Sequence, residues 1–422
     1  MSNAHRPITS ELGLISCVAF AVGSMIGGGV FALAGVVVKD TGPGALLSYL
    51  FAGIIVSLSA VSFSVVASRA PKGQSSYYTL GVELGKIWQF ITMWAFYIST
   101  VTAVAFMLVS FGNYLQYFLS SSNALLLAVF ALVFLVILNL TSTATVGKVE
   151  NLLVGFKLLV LFTMIGFGLA AFSSQKLTPF LPHGQAPVLS STAMLFSAYL
   201  GFSVITNMAD VVKNPQKTVP LALMISIAIV TIVYMGIVFA LLMAKGNYNN
   251  NASLASAANI LMGNWGSLLV AFTACVSTLS GSNGSLLGIS ELIIRMSQQG
   301  SIPKFLGRKS QSGHAQMSVL LSGCIALILM LTGDISSIIA YCSVAGIWGL
   351  VMMNICAGKI AWNKWGNIGM KLPFGILIPT LAGITATSQL FLMDWKHSVI
   401  GTLMVAAGFI IYFFRPKTTP TL

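Results

Sequence analysis

Charge is what this 422-residue chain has least of: 7% of its residues are Asp, Glu, Lys or Arg, against 57% apolar. Soluble domains carry roughly 25% charged residues, and a surface so poor in charge would not keep a domain of this size dissolved. Acids are the scarcest, eight against 21 bases. The four histidines (His5, His183, His314 and His397) are scattered without ligand spacing, so no metal centre is expected. The five cysteines (Cys17, Cys275, Cys324, Cys342 and Cys356) are odd in number and lie inside apolar runs. They read as small core residues and exclude a disulfide framework. No long polar stretch interrupts the chain, so neither a linker nor a soluble second domain is expected.

Apolar runs are abundant. A membrane span needs roughly 20 mainly apolar residues, and twelve stretches qualify: about 11–37, 45–68, 88–118, 123–141, 149–173, 189–212, 219–244, 266–297, 316–333, 335–360, 372–391 and 396–414. Short loops such as Thr41-Gly42-Pro43-Gly44 separate them. The first run lacks a small-residue cleavage site and is expected to be a retained span, not a signal peptide. The chain thus reads as one all-α transmembrane domain, 1–422.

Twelve spans put both termini on one side, and basic residues mark the cytoplasmic side. Sixteen of the 21 bases fall in loops or tails of the terminal side, among them Arg6, Arg69, Lys213, Arg295, Lys359 and Arg415. Four (Lys39, Lys176, Lys245 and Lys396) fall opposite. Both termini are therefore expected in the cytoplasm. The formal charge of +13 reads as orientation and attraction to anionic membrane lipid, with no nucleic-acid partner.

The one base left over is Lys157, in span 5. Eight residues beyond Val149, it lies roughly 12 Å into a hydrocarbon layer about 30 Å thick, too deep to reach the interface easily. The eight acids all sit at span ends or in loops, away from that depth. A charge at such depth usually faces a cavity or a functional path, and an amine taken out of water is a candidate proton carrier. A structural lysine held by backbone carbonyls is the alternative.

Span 1 carries Gly23-Ser-Met-Ile-Gly27-Gly28-Gly29-Val-Phe31. Each interior glycine costs a helix roughly 1 kcal/mol, and three in a row mark a place to unwind. Freed N–H groups and the N-terminus of the next half-helix suit an anion, although Gly23 and Gly27 could instead form a helix-packing face. Five spans later, span 6 reads Phe196-Ser-Ala-Tyr199-Leu-Gly201-Phe202-Ser203 and runs on to Lys213-Asn214-Pro215 and Pro220. Interruptions at matching positions of two halves point to an inverted-repeat transporter, with repeats at about 11–173 and 189–360 and two appended helices at about 372–414. Unwound N–H groups and carbonyls side by side suit a ligand bearing a carboxylate and an ammonium.

At these residues the chain resembles the amino acid–polyamine–organocation (APC) superfamily of permeases, and within it the proton-coupled ApcT-type amino acid transporters. Span 1 is similar to the superfamily's glycine motif, and Phe196 to Pro220 to its span 6 stretch. The loop Pro71-Lys72-Gly73-Gln74-Ser75-Ser76-Tyr77 approximates another motif, with Gln74-Ser75 where a glycine pair is usual. The resemblance implies a LeuT-type 5+5 inverted repeat with helices 1 and 6 broken, and secondary active transport of L-amino acids by alternating access with proton symport. It implies that Lys157 is the coupling residue, with the Gly23 carbonyl and a span 8 hydroxyl as partners. Ser280 is the expected hydroxyl, with Ser277 in reserve. The N–H groups of Gly27, Gly28 and Gly29 would hold the substrate carboxylate. The carbonyls of Met25, Ser197, Ala198 and Leu200 would take the ammonium, and Phe202 would close over it unless it is simply a core aromatic. Ser203 stands where many members carry an acid, which weighs against polyamines and dibasic substrates.

Two rivals keep the fold: an exchanger without ion coupling, and a polyamine or cationic amino acid permease. An enzyme would need a catalytic cluster at membrane depth, and the sequence places none there. A channel would need pore-lining charge rings, also missing. No cofactor or metal is expected, and the oligomeric state stays open. Two further residues on span 10, Tyr341 and Trp348, line the substrate path or pack outward. Glu291 and Arg295, four apart, are expected to pair on a helix surface.

Overall fold

The computed structural model describes residues 12–71, 74–119, 122–141, 146–203, 205, 212–246, 252–309, 316–332, 334–363, 370 and 374–415. Arg6, Glu11, Lys72, Gly73, Asp210, His314, Lys364, Lys371 and Lys417 lie outside them. Among the described residues the fold is all-helical, with one isolated parallel bridge between Leu12 and Val212.

The apolar stretches fall on helices. In chain order these are α1 (Leu14–Met25), α2 (Gly29–Thr41), α3 (Ala45–Ser68), α4 (Ser76–Leu84), α5 (Lys86–Leu115), α6 (Ala124–Thr141) and α7 (Val146–Ala170). They continue as α8 (Ala186–Met194), α9 (Phe196–Tyr199), α10 (Pro215–Ala244), α11 (Ser253–Gln298), α12 (Gln316–Thr332), α13 (Ile335–Trp362), α14 (Leu377–Leu392) and α15 (Trp395–Phe413). Among the described residues, seven helical stretches are long and apolar enough to cross a membrane, and five shorter apolar ones accompany them.

Local chemistry sets the boundaries. Pro215 opens α10, where a missing N–H costs nothing. Two of the scarce acids cap helices: Asp334 accepts the Ser337 N–H at the start of α13, and Asp394 accepts the Lys396 N–H at the start of α15. α11 bends at Gly263, whose φ of 74° favours glycine, so its straight, span-length part begins just beyond.

Outward faces are apolar. Leu159, Ile232 and Ile410 are each more than 60% exposed, a surface suited to lipid and not to water. Inside, small residues let helices touch. A Cβ on Gly168 would stand 2.6 Å from the Ala240 Cα, so α7 and α10 meet backbone to backbone. Against this frame α5 packs on α11 and α13, α3 on α10, and α1 on α10. Four of the cysteines are buried and Cys324 is exposed.

Candidate functional site at the junction of two interrupted helices

The first interruption falls at the glycine triplet. α1 stops at Met25 and α2 starts at Gly29, leaving Ile26, Gly27 and Gly28 between them. Carbonyls released by the break find donors on other helices. The Ser277 hydroxyl of α11 donates to the Ile26 carbonyl at 3.1 Å and also contacts the Gly27 carbonyl. The Tyr234 hydroxyl of α10 lies 2.7 Å from the Met25 carbonyl oxygen. The break is tight at one glycine: a Cβ on Gly28 would fall 2.3 Å from the Met107 Cγ of α5, so a larger residue there would have to push that side chain aside. Gly281 completes the slot, where a Cβ would lie 3.1 Å from the Met107 Sδ and 3.3 Å from the Gly27 Cα.

The second interruption is spread over more residues. α8 ends at Met194, a turn at Leu195 leads to the four-residue α9, and a 3-10 turn covers Leu200–Phe202. Ser343 of α13 clamps the first bend. Its hydroxyl donates to the Met194 carbonyl at 2.6 Å and accepts the Ser197 N–H at 3.3 Å. The Ser197 hydroxyl also donates to Met194, and the Ser203 hydroxyl donates to the Leu200 carbonyl at 3.1 Å.

The two interruptions touch directly. A Cβ on Gly29 would stand 2.9 Å from the Ala198 Cα, and one on Gly201 would stand 2.6 Å from the Ser24 carbonyl. The Ala198 carbonyl oxygen lies 3.2 Å from the same Tyr234 hydroxyl that reaches Met25. Met25, Gly27, Gly28, Gly29, Ser197, Ala198 and Phe202 are buried, while Ser24, Leu200, Gly201 and Ser203 are half-buried. Phe202 packs edge to face on Phe63 of α3 (centroids 5.8 Å), which continues to Phe96 at 6.0 Å.

Beside the first break stands Lys157, in α7 and 1% exposed. Its ammonium donates to the Ser280 Oγ at 2.9 Å, and the Ser280 hydroxyl lies 3.2 Å from the Ser277 carbonyl. Ser277 and Ser280, one turn apart on α11, thus connect the lysine to the carbonyls of Ile26 and Gly27. Gly23 faces the same helix as Lys157, where a Cβ would lie 2.6 Å from Val154 Cγ2. A larger residue at Gly23 would have to displace the Val154 side chain.

Met25, Gly27, Gly28, Gly29, Ser197, Ala198, Leu200 and Phe202, with Lys157, Gly23 and Ser280, therefore lie at or beside this junction. The sequence reading missed Tyr234, Ser343 and Met107, which come from three other spans. A faint sign existed for Tyr234, a polar-tipped residue inside the apolar run Ile232-Val233-Tyr234-Met235. One reading is corrected, and the open placement of Trp348 and Tyr341 falls to packing. Glu291 pairs with Lys309 (3.6 Å) and not with Arg295. Trp348 points away from the junction, its indole N–H donating to the Thr402 hydroxyl of α15 at 3.0 Å. Tyr341 packs on His397 at 5.7 Å.

Interrupted helices meeting at a buried polar junction, inside an apolar-surfaced bundle, define the class: a multi-pass membrane permease. Comparison with known proteins gives the family. The sequence pattern of the amino acid permease family matches residues 12–421. The inner membrane transport protein YbaT of Escherichia coli (strain K12) is 24% identical, over 99% of this chain and 98% of its own. The branched-chain amino acid permease BcaP of Bacillus subtilis (strain 168) is 23% identical, over 99% and 95%. The methylthioribose transporter of the same organism is 27% identical, over 55% of this chain and 54% of its own. The chain belongs to the amino acid permease family and is a transporter, not an enzyme.

Proposed function

We propose that the protein moves L-amino acids across the cell (inner) membrane by alternating access, coupled to proton symport. Twelve spans in a LeuT-type 5+5 arrangement, with both termini cytoplasmic, agree with the basic-residue asymmetry and with the two interruptions five spans apart. In this reading the N–H groups of Gly27, Gly28 and Gly29 hold the substrate carboxylate. The carbonyls of Met25, Ser197, Ala198 and Leu200 face the ammonium, and Phe202 closes the path.

Lys157 is the coupling group, with Ser280 and the Gly23 carbonyl as its partners. The observation that carries this reading is the chain of contacts from Lys157 to Ser280, and one helical turn on from Ser277 to the Ile26 and Gly27 carbonyls. Gain or loss of a proton at Lys157 changes its bond to Ser280, and the same turn of α11 holds the break where substrate binds. Proton release toward the cytoplasm then resets the cycle.

A relative named for methylthioribose keeps a second substrate class in view. Thermal stabilisation of the purified protein by a panel of amino acids, polyamines and methylthioribose decides between them. Amino acids are expected to stabilise it. Stabilisation by methylthioribose or polyamines, with none by amino acids, would end the amino acid assignment.

A further inference from the structure

Tyr234 belongs to none of the elements that bear the expected substrate contacts, yet its hydroxyl reaches both interruptions at once. It lies 2.7 Å from the Met25 carbonyl oxygen and 3.2 Å from that of Ala198. A phenol has one proton, so it donates to one of these acceptors at a time. An ammonium has three, and its charge-assisted bonds to carbonyls are roughly twice as strong as neutral ones. The phenol therefore occupies a site that a substrate ammonium fills better.

Its surroundings suit a hydroxyl that changes partners. The Tyr234 ring is fully buried between those of Tyr49 and Tyr199, each with its centroid 5.5 Å away and near edge to face. Tyr199 spends its hydroxyl within the cluster, on the Tyr49 carbonyl and Thr231. The buried Tyr49 hydroxyl has no hydrogen-bond partner among the described residues. A buried unpaired hydroxyl is costly, and this one is carried by a ring that packs directly on that of Tyr234.

We propose that the Tyr234 hydroxyl is a displaceable latch: in the empty protein it ties the two interrupted helices together through the Met25 and Ala198 carbonyls, and the substrate ammonium takes its place. The latch rests on the transport reading above. It makes a distinction that a purely structural tyrosine does not. The latch stabilises the closed junction without substrate, so it serves the return of the empty carrier. It plays no part when the carrier returns loaded.

The test compares substrate affinity, net uptake and exchange for wild type and Tyr234→Phe in proteoliposomes, using an amino acid that stabilises the wild type. Removing the competing phenol is expected to tighten binding about fivefold, the net worth of one hydrogen bond, and to slow net uptake relative to exchange. Tyr199→Phe is expected to keep the wild-type ratio of net uptake to exchange. Weaker or unchanged affinity in Tyr234→Phe, or equal losses in both modes, would overturn the latch while leaving the transport reading intact. A wild type that transports no amino acid would overturn both. Should the variant fail to fold, 3-fluorotyrosine placed at position 234 reports on the otherwise native chain. Its fluorine resonance is expected to move with the amino acid and not with the matching des-amino acid. Movement with both, or with neither, would overturn the latch.

Discussion

The two interruptions do the same thing by different means. In the first, three consecutive glycines leave three residues outside any helix, and the freed carbonyls are caught by hydroxyls from two distant helices, Ser277 and Tyr234. In the second, a single glycine lies in a 3-10 turn after a chain of short helical pieces, and much of the bonding is local, from Ser197 and Ser203, with Ser343 and the shared Tyr234 hydroxyl as the outside contacts. The first break depends on its neighbours for its shape. The second largely keeps its own. Proton coupling through α11 would therefore act on the first break, which has the most to lose when a neighbour moves.

The largest expected effect lies where the breaks touch. Gly201→Ala places a Cβ 2.6 Å from the Ser24 carbonyl and 2.7 Å from the Met25 nitrogen. Backbone atoms cannot rotate aside, so strain of about 1–3 kcal/mol is expected, and with it a roughly five- to hundredfold loss of substrate affinity. Gly155→Ala, two residues from Lys157 with nothing within 4 Å of the new Cβ, is the control and is expected to bind as wild type does. Binding measured by calorimetry or scintillation proximity reads both.

A smaller effect separates the two breaks from each other. Ser277→Ala removes the donor to the Ile26 and Gly27 carbonyls at a break with no local substitute, and is expected to cost about 1–3 kcal/mol of stability. Ser343→Ala removes one clamp from a segment that keeps the Ala198 N–H to Leu195 carbonyl bond, and is expected to cost about 0.5–1.5 kcal/mol. Thermal unfolding of the purified variants gives the order. Ser343→Ala costing more than Ser277→Ala would reverse the comparison.

Much of this site could be read from sequence because its components announce themselves locally. A glycine triplet in an apolar run breaks a helix whatever surrounds it, and one lysine in a stretch without other charges stands out. The spacing of Ser277 and Ser280 places both on one face of a helix. The partners Tyr234, Ser343 and Met107 were not legible, because what matters about them is where three other spans bring them. A tyrosine or methionine in an apolar span looks like core packing until the helix opposite is known. The Glu291 pairing failed for the same reason: Lys309 reaches it from the connection after the helix, and nothing in a four-residue spacing reveals that.

The most direct test of proton coupling is uptake of a labelled amino acid into proteoliposomes with the membrane potential clamped and a pH gradient imposed, acid outside. Wild type is expected to accumulate substrate only while the gradient lasts. Lys157→Ala is expected to equilibrate or exchange substrate at a rate indifferent to the gradient. Gradient-driven accumulation that survives in Lys157→Ala would remove the lysine from the coupling step, and a wild type blind to the gradient would make the protein an exchanger.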